Sequence, residues 1–480
     1  MLYYLAVALK DSFNPLNVLT YHTVRAGGAA FTGFAVCLLI GPEVIRWLRA
    51  LKVGQYIREE HVAELHALHK KKAGTPTMGG ALIILATLGS LVLWARFTNR
   101  LLVLAAAVFF VLGAVGFIDD YIKLRRKKNK GLSAKAKFTG QIIVGLLLGS
   151  YLVLNPVTPS RARFGANDIL DWAALREEVG PELRRRCPSA PLPAYESRPA
   201  AQQGGAEREA LLVWLNTVVD QMDLMRSGDW SDVELPDEAR LLAQRGDLDE
   251  RQRRRLNRFV VEAAFPSVVA REIPNLHSKV EIPGLKEVFL PLGMGYVLFV
   301  LLIIVGSSNA VNLTDGLDGL AIGASIIALM PYTAIAYVVS RADWSRYLYL
   351  IYVPEASELT VFGAALLGAG MGFLWYNSHP AEVFMGDTGS LALGGALGTM
   401  AVLTKQELLL IVVGGLFVLE AASVILQVAS FKLRGRRIFR MAPLHHHFEL
   451  AGWSESKVTI RFWIIALLFA LLSLAALKLR

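Results

Sequence analysis

Four polar side chains interrupt an apolar stretch of the sequence between residues 297 and 339. Segment 307–323 reads SSNAVNLTDGLDGLAIG and carries Asn309, Asn312, Asp315 and Asp318 between two runs of apolar residues. A charged group at membrane depth costs several kcal/mol unless it is paired or hydrated. Carboxylates in this position therefore indicate a bound cation or a catalytic function.

Similar polar groups recur where other apolar segments end. They are GFIDDYIK with Asp119 and Asp120, FMGDTGS with Asp387, APLHHHFE with His445, His446 and His447, and KKKAGTPTMGG with Lys70, Lys71, Lys72, Thr75 and Thr77. Oxygen ligands suit Mg²⁺, which often binds through one or two carboxylates and substrate phosphates. Lysine and histidine side chains bind phosphate oxygens. The set as a whole predicts phosphoryl transfer to or from a lipid.

Each group has a simpler interpretation when it is taken alone. The pair Asp119–Asp120 is compatible with a solvated helix end, and GDTGS with a turn that begins a helix. Asp315 and Asp318 share one face if their segment is helical, whereas Gly316 and Gly319 also permit tight turns. Three consecutive histidines cannot all face one zinc ion from a regular helix.

The composition predicts an all-α polytopic membrane protein with about ten transmembrane helices. Mean hydropathy is +0.44 and 54% of the residues are apolar. Runs of about 17–25 apolar residues can span a bilayer. Ten segments qualify or nearly qualify: 24–45, 79–96, 101–118, 138–154, 287–305, 320–339, 360–376, 389–404, 407–429 and 461–478. The first residues, MLYYLAVALK, are expected to form an interfacial segment and not a cleaved signal.

The net charge of +10 is concentrated in short connections between apolar segments. Residues 121–137 contain eight Lys or Arg, 431–440 contain five and 69–74 contain three. Ten spans place these connections on one side, which the positive-inside rule makes cytoplasmic, so both termini are extracytoplasmic. Because the basic runs are short and juxtamembrane, nucleic-acid binding is not expected. The two cysteines, Cys37 and Cys187, indicate no disulfide framework.

Residues 156–275 interrupt the membrane pattern and separate two membrane parts, 1–155 and 276–480. This block has 17 Arg, 20 Asp or Glu and no Lys. Apolar residues at helical spacing, in 211–222 and again in 169–179, predict a small inserted extracytoplasmic domain that is mostly helical. A partly disordered segment is the alternative. The block shows no catalytic motif.

Five motifs in this chain resemble the phospho-N-acetylmuramoyl-pentapeptide transferase family, within the polyprenyl-phosphate hexosamine-1-phosphate transferase superfamily. In chain order they are GTPTMGG, FIDDYIK, NAVNLTDGLDGLA, AEVFMGDTGS and APLHHHFELAGWSESKV. The resemblance covers nearly all of 20–155 and 276–480. The block 156–275 departs from the family pattern, in which a short outer segment is expected.

The resemblance implies a multi-pass enzyme of the bacterial inner membrane with its active site on the cytoplasmic face. It implies transfer of phospho-MurNAc-pentapeptide from UDP-MurNAc-pentapeptide to undecaprenyl phosphate, the first membrane step of peptidoglycan synthesis. The products would be lipid I and UMP, and Mg²⁺ would be required. A homodimer is also implied, and 156–275 is expected to contact an envelope partner.

Matching motif positions assign expected roles. The catalytic set would be Asp119, Asp120, Asp387 and His446, with Asp387 as the Mg²⁺ ligand and Asp119 near the lipid phosphate. The substrate-binding set would be Lys71, Lys72, Thr75, Asn312, Asp315, Asp318, Asn377, Phe384, Gln427, His445 and His447. Direct attack by the lipid phosphate is favoured, and a covalent aspartyl intermediate on Asp119 or Asp387 stays open.

Two other functions share parts of this pattern. A sibling enzyme would transfer N-acetylglucosamine-1-phosphate to a polyprenyl phosphate, but the contiguous PLHHHFELAG and WSESKV look specific to the muramoyl-pentapeptide branch. An ion-coupled transporter would also use intramembrane carboxylates. The sequence shows no inverted repeat, and its polar groups gather at one face, which argues against transport.

Overall fold

The computed structural model describes residues 1–9, 13–50, 75–126, 131–155, 163–194, 205–270, 278–285 and 288–478. The chain folds into two compact units. The first comprises 1–155, 278–337 and 355–480, and the second comprises 156–277 and 338–354.

Long apolar helices make up most of the first unit, and α7 continues two residues beyond it. The bounds are α1 (Leu2–Leu9), α2 (His22–Ala50), α3 (Gly80–Trp94), α4 (Arg100–Arg126), α5 (Ala134–Leu154), α6 (Gly295–Thr314), α7 (Leu320–Val339), α8 (Ser357–Asn377), α9 (Gly386–Leu403), α10 (Gly415–Arg434), α11 (Leu444–Leu450) and α12 (Glu455–Ala476). A 3₁₀ turn (Asn14–Thr20) precedes α2, and a short helix (Leu410–Val413) precedes α10.

Within the described residues, eight of these helices are long and apolar enough to cross a bilayer: α2, α4, α5, α6, α7, α8, α10 and α12. Helix α3 is apolar but has only 15 residues. Large apolar side chains such as Phe31, Leu39 and Leu147 are exposed on the bundle, as expected for a surface that contacts lipid. The prediction of an all-α polytopic membrane protein is confirmed. The count of ten spans and the outward termini stay predictions.

The fifth apolar segment was placed wrongly by hydropathy, at 287–305. The structure has a two-stranded antiparallel sheet here, with β1 (Lys279–Glu281) paired to β2 (Phe289–Pro291), Lys279 opposite Pro291. Pro291 and the positive φ of Gly293 separate the strand from α6, which begins at Gly295. Apolar content alone does not distinguish a short strand from the start of a helix.

Helix α6 also continues further than predicted, to Thr314. Its polar residues are accommodated because they bond to neighbouring helices and do not face lipid. Asn309 Nδ2 donates to Gln141 Oε1 of α5 at 2.6 Å. The polar half of the segment therefore remains helical as far as Thr314.

Helices α4 and α9 pack closely because Gly116 faces the backbone of α9. A Cβ atom at Gly116 would lie 2.1 Å from the carbonyl oxygen of Asp387. Only glycine allows this approach, which brings the end of α4 beside the start of α9.

The second unit is a small helical domain with its own core. Its helical segments are Trp172–Ala174, Leu175–Val179 (π), Gly180–Arg186, Gly205–Gln221, Leu224–Ser227, Asp237–Ala243, Glu250–Ala264 and Ala342–Tyr347. Leu183, Leu215, Val218 and Val260 are fully buried in the core. The helix predicted around 211–222 is present, whereas the segment 169–179 becomes helical only from Trp172.

Replacing Gly116 by alanine is expected to separate α4 from α9. The new methyl group would overlap the Asp387 carbonyl, and overpacking of this kind costs about 1–3 kcal/mol. Thermal unfolding in detergent would show a lower midpoint. The control is Gly89→Ala in α3, where a Cβ would meet no atom within 4 Å. Equal midpoints for the two variants would contradict this packing.

Candidate active site

Three aspartates from two helices converge in the first unit. Asp119 and Asp120 lie near the end of α4, and Asp387 lies in the first turn of α9. One carboxylate oxygen from each lies within 4.8 Å of the other two. Asp119 and Asp120 are 1% and 3% exposed. At a separation near 5 Å and an effective dielectric constant of about 20, each pair of ionised carboxylates repels by roughly 3 kcal/mol.

Two lysines offset this repulsion. Lys123 Nζ lies 2.6 Å from Asp119, 3.2 Å from Asp120 and 2.8 Å from Asp387. Lys137 Nζ lies 2.5 Å from Asp387 and 3.3 Å from Asp119. Five lysine–carboxylate contacts of 2.5–3.3 Å therefore oppose the repulsion among the three carboxylates. Ionised, these five groups carry a net charge of −1.

Asp120 fixes the start of α9. Its Oδ2 accepts hydrogen bonds from the Thr388 backbone N–H at 3.0 Å and from the Thr388 hydroxyl at 2.8 Å. The N-terminus of a helix has free N–H groups and a partial positive charge, so a carboxylate there is stabilised. Gly386 has a φ of +71°, and a Cβ there would lie 2.8 Å from the same oxygen. Glycine is therefore required at the turn that presents Asp387.

Asp119 fixes the connection between α4 and α5. Its Oδ1 accepts from the Leu132 N–H at 2.8 Å, and a Cβ at Gly131 would lie 2.5 Å from that oxygen. This contact places the start of α5 beside α4. It also accounts for the reach of Lys137, which lies in the first turns of α5.

Asn312 and Asp315 complete this cluster from the end of α6. Asn312 Nδ2 donates to Asp387 Oδ1 at 2.6 Å and to Ser390 Oγ at 2.8 Å. The pKa of Asp315 is raised to about 8, because its carboxyl is removed from water and faces Asp387 and Asp120. A hydrogen bond from the Gly386 backbone opposes this shift.

Asp318 belongs to a second group, and of the two alternatives for 315–318 the structure has the turn and not the helix. Residues 315–319 form a turn between α6 and α7, with Gly319 at a φ of +73°. Asp318 Oδ2 lies 3.0 Å from His379 Nδ1 and accepts from the Ala381 N–H at 3.2 Å. Glu455 Oε1 accepts from the Asp318 N–H at 2.8 Å. The turn separates the carboxylate of Asp318 from that of Asp315 and directs it to other partners.

Asn377 lies in this second group. Its Oδ1 accepts from the Gly319 N–H at 3.1 Å and its Nδ2 donates to the Val383 oxygen at 2.8 Å. Both ends of the amide therefore bond to backbone. Asn377 ties the turn 315–319 to the segment that leads into α9.

The three histidines point to different partners. His445 is fully buried, and its Nδ1 lies 3.2 Å from Glu420 of α10. His446 Nδ1 lies 2.8 Å from Glu449, and His447 Nδ1 accepts from the Arg440 N–H at 3.1 Å. A Cβ at Gly316 would lie 2.3 Å from His445 Nε2, so His445 adjoins the turn.

The remaining predicted residues surround these groups. Gln427 bonds to the backbone of Ile438 and Phe439 and holds the basic connection after α10. The backbone N–H of Phe384 donates to the backbone oxygen of Pro76 at 2.8 Å, and Thr75 precedes Pro76 in the chain. Thr75 and Phe384 therefore lie beside the start of α9. Lys71 and Lys72 lie outside the described residues.

Sequence reasoning missed Lys123, Lys137, Glu455 and His379. The two lysines were counted only as part of a basic run. Lys123 follows Asp119 by four residues and Asp120 by three, which places it on their face of a helix. This spacing in the sequence indicates that Lys123 can contact both aspartates. The contact of Lys137 with Asp387 depends on the tertiary fold, and no local spacing indicates it.

The donor set fits a hard divalent cation. Asp119, Asp120 and Asp387 offer oxygen atoms from three carboxylates, the ligand type that Mg²⁺ prefers. The cluster already gathers two lysine cations, which shows that its carboxylates attract positive charge. Asp387 is the most accessible of the three, with 16% of its side chain exposed.

An apolar helical bundle with a carboxylate–lysine cluster where its helices end is the arrangement expected of a membrane-embedded enzyme that acts on phosphorylated substrates. Residues 247–405 match the family described as Glycosyl transferase family 4. Residues 72–84 match phospho-N-acetylmuramoyl-pentapeptide-transferase signature 1.

Full-length relatives carry the same description. Proteins named phospho-N-acetylmuramoyl-pentapeptide-transferase are 41% identical in Methylacidiphilum infernorum, 40% in Koribacter versatilis and 40% in Desulfatibacillum aliphaticivorans. Each alignment covers 100% of this chain and 100% of the relative. The chain belongs to the phospho-N-acetylmuramoyl-pentapeptide-transferase family.

Replacing Lys123 or Lys137 by glutamine is expected to lower transferase activity about 100-fold, the usual loss when a preorganised charge is removed from a reacting phosphate or oxyanion. Each variant leaves the three carboxylates with one lysine. Initial rates and thermal unfolding would both be measured. The matched control is Lys135→Gln, which alters an exposed lysine of the same helix as Lys137. Wild-type rates in both site variants would contradict a functional role for these lysines.

Proposed function

We propose that this chain transfers phospho-MurNAc-pentapeptide from UDP-MurNAc-pentapeptide to undecaprenyl phosphate, giving lipid I and UMP. The observation that carries the proposal is the cluster of Asp119, Asp120 and Asp387 with Lys123 and Lys137, in a chain of this family. The basic connections adjoin the same helix ends, so the positive-inside rule supports a cytoplasmic active site in a bacterial inner membrane.

The reaction exchanges one bond to phosphorus for another. An oxygen of the lipid phosphate attacks the phosphorus that carries the sugar, and the bond from that phosphorus to the UMP oxygen breaks. The lipid phosphate is already anionic near neutral pH, so the attack requires little proton removal. Electrostatic repulsion between the two phosphate groups is the main obstacle, and catalysis therefore depends on positioning and charge.

Lys123 and Lys137 are the groups that lower this obstacle in the described part of the chain. Their ammonium groups lie between Asp119 and Asp387, where they can hold phosphate oxygens of both substrates. One lysine comes from α4 and the other from α5, so the two helices together set the distance between the substrates.

Asp119 and Asp387 serve better as orienting groups than as nucleophiles. Asp119 binds both lysines and the Leu132 N–H, and Asp387 binds both lysines and Asn312. A carboxylate with several charged donors is a weak nucleophile. These contacts favour direct attack by the lipid phosphate over an aspartyl intermediate.

Asp387, with Asp119 and Asp120 beside it, would hold Mg²⁺. When bound, this ion would neutralise phosphate charge as a Lewis acid. Asn312 would then keep Asp387 oriented through its 2.6 Å hydrogen bond, and Ser390 would in turn orient Asn312. The amide and hydroxyl act on the carboxylate and need no contact with substrate.

The nucleotide sugar would bind on the side of the turn 315–319. Asp315 belongs to the turn and the buried His445 adjoins it, and we keep Thr75, Phe384, Lys71, Lys72, Gln427, His446 and His447 as proposed contacts of the same substrate. Asp318 and Asn377 have their polar atoms bonded within the protein. We therefore assign them to shaping the pocket and not to direct binding.

The inserted block 156–275 is proposed to lie outside the cytoplasm and to contact an envelope partner. Its described residues fold around an apolar core, and they contain buried ion pairs such as Arg258 with Glu262 at 2.6 Å. A homodimer remains part of the proposal.

Joining residue 155 to 276 should preserve transfer in vitro, since no catalytic motif lies in the block.

Neutralising Asp387 or Asp119 is expected to abolish transfer without unfolding the protein. Asp387→Asn and Asp119→Asn keep the side-chain size but remove the charge that holds both lysines. UMP release would be measured with Mg²⁺, undecaprenyl phosphate and UDP-MurNAc-pentapeptide. Asp343→Asn, at an exposed aspartate of the second unit, is the control. Wild-type turnover in either site variant would contradict the proposal.

The same assay separates the two sibling reactions. UMP release with UDP-MurNAc-pentapeptide and none with UDP-GlcNAc is the expected result. If UMP were released with UDP-GlcNAc and not with UDP-MurNAc-pentapeptide, the proposed phosphoryl transfer at this site would stand, but the proposed substrate would be wrong.

A further inference from the structure

The turn 315–319 is held by three side chains on one face of α12. Glu455 Oε1 accepts a hydrogen bond from the backbone N–H of Asp318 at 2.8 Å. Thr459 Oγ1 donates to the backbone carbonyl oxygen of Asp318 at 3.2 Å, and Trp463 Nε1 donates to that of Gly319 at 3.2 Å. Residues spaced by four lie in one row along a helix. These three residues, which we call the α12 clamp, therefore contact the turn as one rigid row.

Shape complementarity fixes the same contact. A Cβ at Gly323 would lie 2.3 Å from the indole of Trp463, and one at Gly319 would lie 3.4 Å from it. The first turn of α7 thus packs directly against the α12 clamp. Any displacement of α12 along its axis would break the three hydrogen bonds and this packing together.

The clamp also links the turn to the segment before Asp387. Glu455 Oε2 lies 3.6 Å from His379 Nδ1, and the same nitrogen lies 3.0 Å from Asp318 Oδ2. Asn377 bridges the Gly319 N–H and the Val383 oxygen. The backbone that carries Asp315 and the backbone that leads to Asp387 are therefore bound to one another through Asp318 and the α12 clamp.

The exposed part of the turn lies beside a histidine nitrogen that has no hydrogen-bond partner among the described residues. Gly316 is exposed, and the neighbouring His445 Nε2 is buried. A buried polar atom without a partner favours a ligand or water there. The turn therefore borders the side that we propose for the nucleotide sugar, next to His445, whereas the lysine cluster is proposed to hold phosphate oxygens of both substrates.

We infer that Glu455, Thr459 and Trp463 are positioning residues for the nucleotide-sugar substrate. They act through the backbone of 318–319 and do not touch the reacting atoms. The inference rests on the proposed function and deepens it: the clamp sets the affinity for the UDP-linked donor and leaves the lipid acceptor unaffected.

The test compares two variants of Thr459. Thr459→Val removes the hydroxyl at nearly constant side-chain size, and Thr459→Ser keeps the hydroxyl. Loss of one positioning hydrogen bond is expected to raise the KM for UDP-MurNAc-pentapeptide about tenfold in Thr459→Val. The kcat, the KM for undecaprenyl phosphate and the Mg²⁺ dependence should stay within about twofold of wild type. Thr459→Ser should have the wild-type KM for the UDP-linked donor.

Trp463→Phe, which removes the N–H donor together with part of the indole that packs against Gly323, provides a second variant should Thr459→Val fail to fold. Thr217→Val is the matched control, because that hydroxyl bonds to Val213 within its own helix in the second unit. An unchanged donor KM in the folded site variants, or an equal rise in both KM values, would overturn the inference. Absence of UMP release by the wild type would instead overturn the proposed function.

Discussion

The structure of the site depends on holding three carboxylates within 4.8 Å of one another. Repulsion of roughly 3 kcal/mol between each ionised pair would separate the helices if it were uncompensated. Two lysines compensate it, one on α4 and one on α5, and each touches more than one carboxylate. The close approach of α4 and α9 at Gly116 brings Asp387 into reach of both lysines. The remaining charge of −1 favours a cation, so the balance of charge that holds these helices together is compatible with the proposed binding of a metal ion and a phosphorylated substrate.

A second set of contacts orients the backbone around this cluster. Asp120 holds the start of α9 through Thr388, Asp119 holds the start of α5 through Leu132, and Asn312 holds Asp387. On the other side, the turn 315–319 is bound by Asn377 and by the α12 clamp. Most predicted site residues thus have protein partners in this structure, and catalytic geometry is maintained by a shell of hydrogen bonds and not by the charged residues alone.

The sequence predicted the membrane class and the convergence of Asp119, Asp120, Asp387 and Asn312, because these residues lie where apolar segments end. It did not predict that α6 begins at Gly295, since apolar composition is the same in β2 and in a helix start. It left open whether 315–318 is a helix or a turn, and the turn that the positive φ of Gly319 completes separates Asp315 from Asp318. The contacts of Lys137, His379 and Glu455 depend on tertiary packing across long sequence separations, and no local spacing reveals them. The motif WSESKV marks the family in the sequence, and only the fold shows that its Glu455 bonds to the turn.

The central claim is that the carboxylate cluster binds a divalent cation through Asp387. The most direct measurement is a titration of the detergent-purified protein with Mn²⁺, followed by electron paramagnetic resonance, for the wild type and Asp387→Asn. The wild type is expected to bind Mn²⁺ at one site per chain in competition with Mg²⁺. Asp387→Asn is expected to lose this binding, while its thermal unfolding midpoint shows that the variant is folded. Equal Mn²⁺ affinity in a folded Asp387→Asn variant would contradict the claim.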